Sequence, residues 1–339
     1  MAPAGRSSAS LPEAVLAFLR RSGLAARDEN PAASALAGGV SSDIWRVELA
    51  RGAVCVKRAL PRLRVAQRWE APIERNRYER RWIETANRIV PGIAPRVLAS
   101  DDDAGCFAME DLGALPLWKA ELAAGRADPA FAGAVGARLA RIHAATAGDA
   151  AIAAEFATDA SFHALRLEPY LVASARAHPG LAAPLEALVE RTANARIALV
   201  HGDVSPKNIL VGPAGPVLLD AECAWYGDPA FDLAFCLNHM LLKCLWVPAA
   251  SEGFLSCFDS LSSSYLQGCA WEEPSSLEAR AASLLPGLLL ARVDGKSPVE
   301  YITEAPQRDC VRRVARPLLF DSPSRLRDVA ARWREAISR

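Results

Sequence analysis

The sequence predicts an α+β chain with a small β-rich first lobe and a large, mainly α-helical second lobe. Three observations predict it. Short apolar runs separated by turn residues fill the first hundred residues around one charged helical stretch. From about residue 113 onward, apolar residues recur at helical spacing in one segment after another. One β interruption, 197–219, breaks that helical series, and its apolar runs frame a dense set of polar residues.

Each element has its own signal. Leu11, Val15, Leu16, Phe18 and Leu19 form the stripe of an amphipathic helix, with Pro12 at its first turn. Met1 to Ala26 is rich in arginine, serine and alanine and slightly resembles a transit peptide. It lacks the unbroken apolar segment of a secretory signal, so a plain helix is the reading. Ile44 to Leu49 and Ala53 to Lys57 read as strands joined by a tight turn at Ala50-Arg51-Gly52. Glu70 to Ile89 reads as a charged helix with Tyr78, Trp82 and Ile83 as its apolar stripe, ended by Pro91, Gly92 and Pro95. Arg96 to Ala99 and Cys106 to Met109 are two further strands, and Glu110 to Gly113 is a connector. Helices follow at roughly 129–147, 160–177, 180–194, 228–247, 253–268, 275–291, 307–318 and 324–338. The expected organisation is an N-terminal helical extension at 1–30, an N-lobe at 31–112 and a C-lobe at 113–339.

Composition narrows the class. The 339 residues suffice for about two domains or one two-lobed enzyme, and 51% are hydrophobic, enough for a large core. Formal net charge is zero, so charge points to neither nucleic acid nor an anionic membrane as partner. None of the eight cysteines forms a Cys-x-x-Cys pair, which argues against a zinc knuckle or redox motif. Scattered thiols in a long chain read as buried cysteines of a reducing cytosol. The most apolar run, Ala230 to Val247, contains Asp232, Asn238, His239 and Lys243, which favours a buried helix over a membrane span.

The chemistry concentrates at 201–222: His201-Gly202-Asp203-Val204-Ser205-Pro206-Lys207-Asn208, a hairpin, then Asp220-Ala221-Glu222. Phosphoryl transfer from a nucleotide needs a carboxylate facing the attacking hydroxyl, and an Asn and an Asp for the magnesium that bridges the phosphates. Asp203 fits the first role, Asn208 and Asp220 the second, with Glu222 as a further ligand. The apolar runs 198–200, 209–211 and 217–219 place these groups at strand ends, where sites are built. Three weaker pieces lie upstream. Gly38, Gly39, Ser41 and Ser42, just before a strand, could bring backbone amides and hydroxyls to phosphates, although adjacent glycines there are usually a turn. Lys57 closes an apolar strand and could neutralise phosphates; Glu79 or Glu74 would hold it, and Glu79 is preferred. Met109, Glu110 and Leu112 run from strand to connector, where backbone could meet an adenine edge.

The chain resembles the aminoglycoside phosphotransferase and choline kinase superfamily, the small-molecule branch of the protein-kinase-like fold. Within it the nearest likeness is to methylthioribose kinase. The likeness rests on Lys57-Arg58-Ala59-Leu60-Pro61, Arg64-Val65, Trp69, Arg75 and Glu79, and on the stretch from Asp220 to Asp232 with its Asp-x-Glu. It covers about residues 35 to 245. It implies a bilobal fold, ATP and Mg2+ as cofactors, Asp203 as the residue that orients the substrate hydroxyl, and Asp232 as a tie for the loop backbone. His201 would brace the loop. Two departures stand out: Ser205 where many members carry His, and Lys207 where many carry Gly. Lys207 either adds positive charge at the γ-phosphate, as an Arg does at that step in tyrosine kinases, or is a solvated loop lysine.

Asp294-Gly295-Lys296-Ser297 imitates the end of a Walker loop, but Leu290 stands where its glycine belongs. Eleven residues separate Asp220 from Asp232, too few for a peptide-binding activation segment, so a small hydroxylated molecule is the expected substrate. Trp225, Tyr226, Arg292, Asp294 and Lys296 are the candidate substrate contacts; the aromatics could equally be core, and the charged three a capping network. Arg166, Glu168 and Tyr170 are weaker candidates, and His143 reads as a core histidine. The expectation is a cytoplasmic, ATP-dependent kinase phosphorylating a sugar, amino alcohol or related metabolite. The alternatives are an aminoglycoside O-phosphotransferase and a nucleotide-binding, pseudokinase-like regulatory module.

Overall fold

Alternating burial builds the first unit. The computed structural model describes residues 11–36, 42–60 and 73–338. The candidates Gly38, Gly39 and Ser41, and Arg64, Val65 and Trp69 of the family likeness, lie outside the described residues. Within 1–114, helix α1 (Glu13–Arg21) precedes strands β1 (Ala32–Ala35), β2 (Ser42–Leu49) and β3 (Gly52–Ala59). Helix α2 (Arg75–Ile89) and strands β4 (Val97–Asp101) and β5 (Cys106–Glu110) complete the unit. The sheet is antiparallel throughout, in the order β1-β2-β3-β5-β4. Trp45, Val47 and Leu49 face inward from β2 while Glu48 faces water, the period-2 pattern of a half-buried strand. Val15, Phe18 and Leu19 of α1 pack on that face together with Val54, Val56 and Ala108. The N-terminal helix thus shares the core of the sheet. Strand β1, Ala-Ala-Ser-Ala, has no β-branched residue to announce it and forms only by pairing its edge to β2.

The second unit, 115–339, is mostly helical. Its first helices are α3 (Trp118–Ala123), α4 (Pro129–Thr146), α5 (Ala150–Glu155) and α6 (Asp159–Phe162). A π-helical segment, His163–Val172, leads into α7 (Ala173–Ala177), and α8 (Ala182–Asn194) follows. Then come β6 (Ala198–Val200), a 3-10 turn (Pro206–Asn208), β7 (Ile209–Gly212), β8 (Gly215–Leu218) and β9 (Trp225–Gly227). Helices α9 (Ala230–Trp246), α10 (Ser251–Gln267), α11 (Pro274–Asp294), α12 (Ala305–Asp321) and α13 (Leu326–Ile337) end the chain. Strand β6 pairs with β9, and β7 with β8.

Helix α9 is buried from Ala230 through Cys244 and forms the spine on which α10 and α11 pack. That is the ordinary state of a helix apolar on every side in a large core. No helix of the described residues is long and apolar enough to cross a membrane. All eight cysteines are buried and unpaired.

Helices α4 and α10 approach closely because glycines line the contact. A Cβ at Gly136 would overlap the Leu261 carbonyl, which is backbone and cannot swing aside. Gly136→Ala is therefore expected to lower stability by roughly 1–3 kcal/mol, the usual cost of overpacking. Urea unfolding should show a lower midpoint at unchanged slope.

Candidate active site

Strand β6 delivers the chain to the site and a buried carboxylate fixes where it goes. After Val200 the backbone amides of His201 and Gly202 donate to Asp232 Oδ2 and Oδ1, at 2.7 and 2.8 Å. Asp232 lies in the first turn of α9, where a negative charge suits the helix dipole. His143 Nε2 stands 3.3 Å from the same carboxylate, and its Nδ1 lies 2.6 Å from the Tyr265 hydroxyl. His143 is thus a core histidine, as its apolar helix face indicated. Gly202 has φ +79°, and a Cβ there would press on Cys223.

His201 braces the loop. Its Nδ1 accepts from the Asp203 amide at 3.1 Å, so Nε2 carries the proton and donates to the Leu219 carbonyl at 3.1 Å. Burial pushes its pKa below the ordinary value, which keeps the ring neutral.

Asp203 is buried, with Oδ2 3.0 Å from Arg166 Nη2 and 3.2 Å from Lys207 Nζ. Burial alone would raise its pKa, but Arg166 and Lys207 overcome that and hold the carboxyl below the ordinary range. Arg166 projects from the π-helical segment and also donates Nε to the Gly202 carbonyl at 2.5 Å. π-helical turns concentrate at functional sites, and this one carries the main counter-charge. The Lys207 side chain remains 51% exposed, and Asp203 beside it raises its pKa.

The metal candidates follow from the hairpin. Asn208 Nδ2 donates to the Asp203 carbonyl at 3.1 Å, which leaves Oδ1 as the end able to ligate. The β7–β8 register, Ile209 opposite Leu218, returns the chain so that the Leu219 amide donates to the Asn208 carbonyl at 2.8 Å, one residue before Asp220. Asp220 has φ +67°, a left-handed conformation that Asp tolerates better than most residues and that clusters at functional sites. Glu222 is buried. No three His, Cys, Asp or Glu side chains of the described residues converge as a ready metal cluster. The donors available, an amide oxygen and carboxylates, are hard ligands of the kind that hold magnesium in part through water and phosphate.

In the first unit Lys57 and Glu79 form an ion pair at 2.7 Å, each side chain 2% exposed, while Glu74 stands at the N-cap of α2. Ser42 is buried in β2. Met109 pairs with Cys55 across the sheet. The Glu110 amide is spent on the Arg96 carbonyl and its side chain on the Arg96 amide. The connector is tied down by Asp111, which accepts from Arg46 Nε at 2.5 Å and from the Gly113 amide at 3.0 Å, with Leu112 between.

The substrate candidates separate. Trp225 is core: it stacks on Phe162 at 4.1 Å, donates to Asp159 and fills the space beside Gly227. Tyr226 is buried in β9, opposite Leu199. Asp294 is consumed by Arg312 and His178, at 2.6 and 2.7 Å, and Lys296 by Glu168 at 2.8 Å. Trp225, Asp294 and Lys296 thus have partners within the second unit. Arg292 alone turns inward, with Nη1 3.1 Å from the Tyr170 hydroxyl. Arg166, a weak candidate by sequence, proves central. His239 and Lys243 were legible as polar groups four apart on an apolar helix, but not as members of a site.

The fold is kinase-like, and this loop gathers a carboxylate, an amide and two further acids at strand ends. Residues 32–261 match the phosphotransferase enzyme family APH, and the chain belongs to that family. It is 27% identical over 225 residues to the methylthioribose kinase of Yersinia enterocolitica, covering 58% of this chain and 55% of that one. The methylthioribose kinase of Erwinia tasmaniensis is 27% identical over 216 residues, 56% of this chain and 54% of its own. The chain thus matches about half the length of these curated relatives. Among solved structures, amicoumacin kinase hAmiN, in complex with AMP-PNP, Ca2+ and Ami, superposes with a TM-score of 0.54 at 15% identity, covering 93% of this chain and 96% of that one. Choline kinase from Cryptosporidium parvum Iowa II gives 0.52 at 11% identity, covering 96% and 94%. At such identities the likeness is one of fold.

Arg166→Met should let the Asp203 carboxyl rise toward the ordinary carboxylate range. Carbon NMR of the labelled aspartates, with Asp203→Asn to assign the signal, would follow it; an unmoved titration would contradict the assigned counter-charge.

Proposed function

We propose that this chain is an ATP- and magnesium-dependent small-molecule kinase that transfers a γ-phosphoryl group to a hydroxyl. The carrying observation is Asp203: a buried carboxylate kept ionised at a strand end, five residues before an Asn bonded to its own carbonyl. A carboxylate of depressed pKa is a weak base. It works by holding the acceptor O–H in line and taking the proton as the new bond forms. Lys207, charged and half exposed, would face the transferring phosphoryl oxygens. Lys57, held by Glu79, would neutralise the nucleotide phosphates, and the backbone near Met109, Glu110 and Leu112 would meet the base. Asn208 and Asp220, with Glu222, would hold magnesium, which supplies charge neutralisation on the phosphates when bound.

A small acceptor is favoured because the eleven residues between Asp220 and Asp232 include β9, paired with β6, and the packed Trp225. That stretch has no free length on which a peptide could lie. The methylthioribose kinase relatives make methylthioribose, a neutral thiosugar, the reference acceptor with which a screen starts. Direct transfer is expected, since the neighbouring His201 is engaged at both ring nitrogens and Ser205 is buried, which leaves Asp203 to address the acceptor. The buried, unpaired cysteines suit a reducing cytoplasm.

A coupled ADP-release screen over hydroxylated metabolites should give turnover that chelation abolishes and Mg2+ restores. Asp203→Asn should lose at least about 100-fold in turnover, the low end for a positioned base, while nucleotide affinity is kept. Wild-type-like turnover in that variant would contradict the assignment. Lys207→Ala should lower turnover by more than twofold; a smaller effect would remove Lys207 from the phosphoryl site.

A further inference from the structure

Next to the Asp203 loop the second unit buries two cations and a neutral imidazole that the transfer chemistry does not use. Helix α9 carries Phe235, His239, Lys243 and Trp246 down one face, each three or four residues from the last. The Lys243 ammonium, on a side chain only 1% exposed, lies 4.5 Å from the Trp246 ring and 4.4 Å from the Tyr301 ring. No carboxylate of the described residues stands within ion-pair distance of it, and Glu300, the nearby acid, is bound to Lys119. His239 Nδ1 is 3.2 Å from the Tyr301 hydroxyl, while its buried Nε2 has no partner. Arg292 places Nη1 on the Tyr170 hydroxyl and on Ser297, with Nε buried and unpartnered.

This cluster joins the catalytic loop through shared rings. Tyr170 receives Arg292 at 5.4 Å and Arg166 at 5.9 Å, and Arg166 is the group that holds Asp203. Phe235 likewise lies 5.8 Å from Arg166 and 5.7 Å from His239. Helix α3, which carries Lys119, packs on both the Pro206–Asn208 turn and α9. Lys119 is partly exposed, at 32%, so the cluster has a buried floor and a wet rim.

Buried cations without counter-ions are costly, and a site keeps them where a ligand supplies the missing charge. We infer that the acceptor carries an anionic group, a carboxylate or a phosphate, that Lys243, His239 and Arg292 receive while Asp203 addresses its hydroxyl. Burial and the neighbouring Lys119 and Arg292 push the Lys243 pKa down to about 7, a crowding an arriving anion would relieve. A polycationic aminoglycoside or a quaternary ammonium would meet repulsion here. The inference rests on the phosphoryl-transfer reading, and the two fail differently.

The test is ADP release by the full chain over matched acceptors: glycerate and glycerol 3-phosphate against glycerol, ribose 5-phosphate against ribose, with choline and kanamycin as cations. The anionic member of a pair should exceed its neutral partner at least tenfold in kcat/KM, and the better anion tells carboxylate from phosphate. Lys243→Met, and Lys119→Ala at the rim in case the first fails to fold, should raise the acceptor KM at least fivefold and leave the ATP KM unchanged. Preference for neutral or cationic acceptors, or an equal rise in the ATP KM, overturns the anionic acceptor and leaves the kinase standing. If no acceptor releases ADP, calorimetric titration with glycerate and inorganic phosphate decides the cluster alone. Binding that Lys243→Met weakens supports it; no binding overturns it. Failure of AMP-PNP to bind would overturn the kinase reading separately.

Discussion

The site depends on one buried carboxylate with two cations. Asp203 pays no solvation penalty unassisted, because Arg166 and Lys207 both reach its Oδ2. Stripping a partner from a buried ion pair typically costs about 3–5 kcal/mol, so Arg166 must be in place whenever the loop is. That requirement accounts for the π-helical segment, which seats Arg166 under the loop, where it also grips the Gly202 carbonyl. Asp232 sets the loop from the other side through two backbone amides, and His201 links the loop to the strand that precedes Asp220. The carboxylate, its counter-charge and the backbone therefore stand or fall together.

Helix α9 extends the same logic into the interior. Its first turn holds Asp232, which ties the loop, and its later turns hold His239, whose buried Nε2 has no partner, and Lys243, which has no carboxylate of the described residues within ion-pair distance. On the proposed reading, one helix would thus serve phosphoryl chemistry at its start and acceptor recognition further down.

Much of this was legible in the sequence, for reasons that differ by residue. Most helices of the second unit announce themselves by period and form within a few residues of where their apolar stripes lie; the six-residue α3 and α5 are too short to show one and were not read. Strand β2 alternates and was readable; β1 is four small residues held by its neighbour and was not. Asp203, Asn208 and Asp220 were visible because local spacing fixes their relation through one hairpin. Arg166 belongs to the same site from 37 residues upstream, and only tertiary packing reveals a partner at that distance. Trp225 was left open between core and contact because an aromatic beside a site and one behind it look identical in sequence; its stacking on Phe162 favours core. Asp294 and Lys296 likewise read as recognition groups until their ion pairs with Arg312 and Glu168 appear.

On the proposed reading, Asp203 orients the acceptor and the phosphoryl group moves straight from nucleotide to acceptor. Its stereochemistry is the most direct measurement. With a γ-phosphoryl group made chiral by oxygen isotopes, a single in-line displacement inverts the configuration at phosphorus. Inversion is the result expected of a hydroxyl oriented by Asp203. Retention would require a phosphorylated enzyme intermediate, a second nucleophile, and a different reading of this loop.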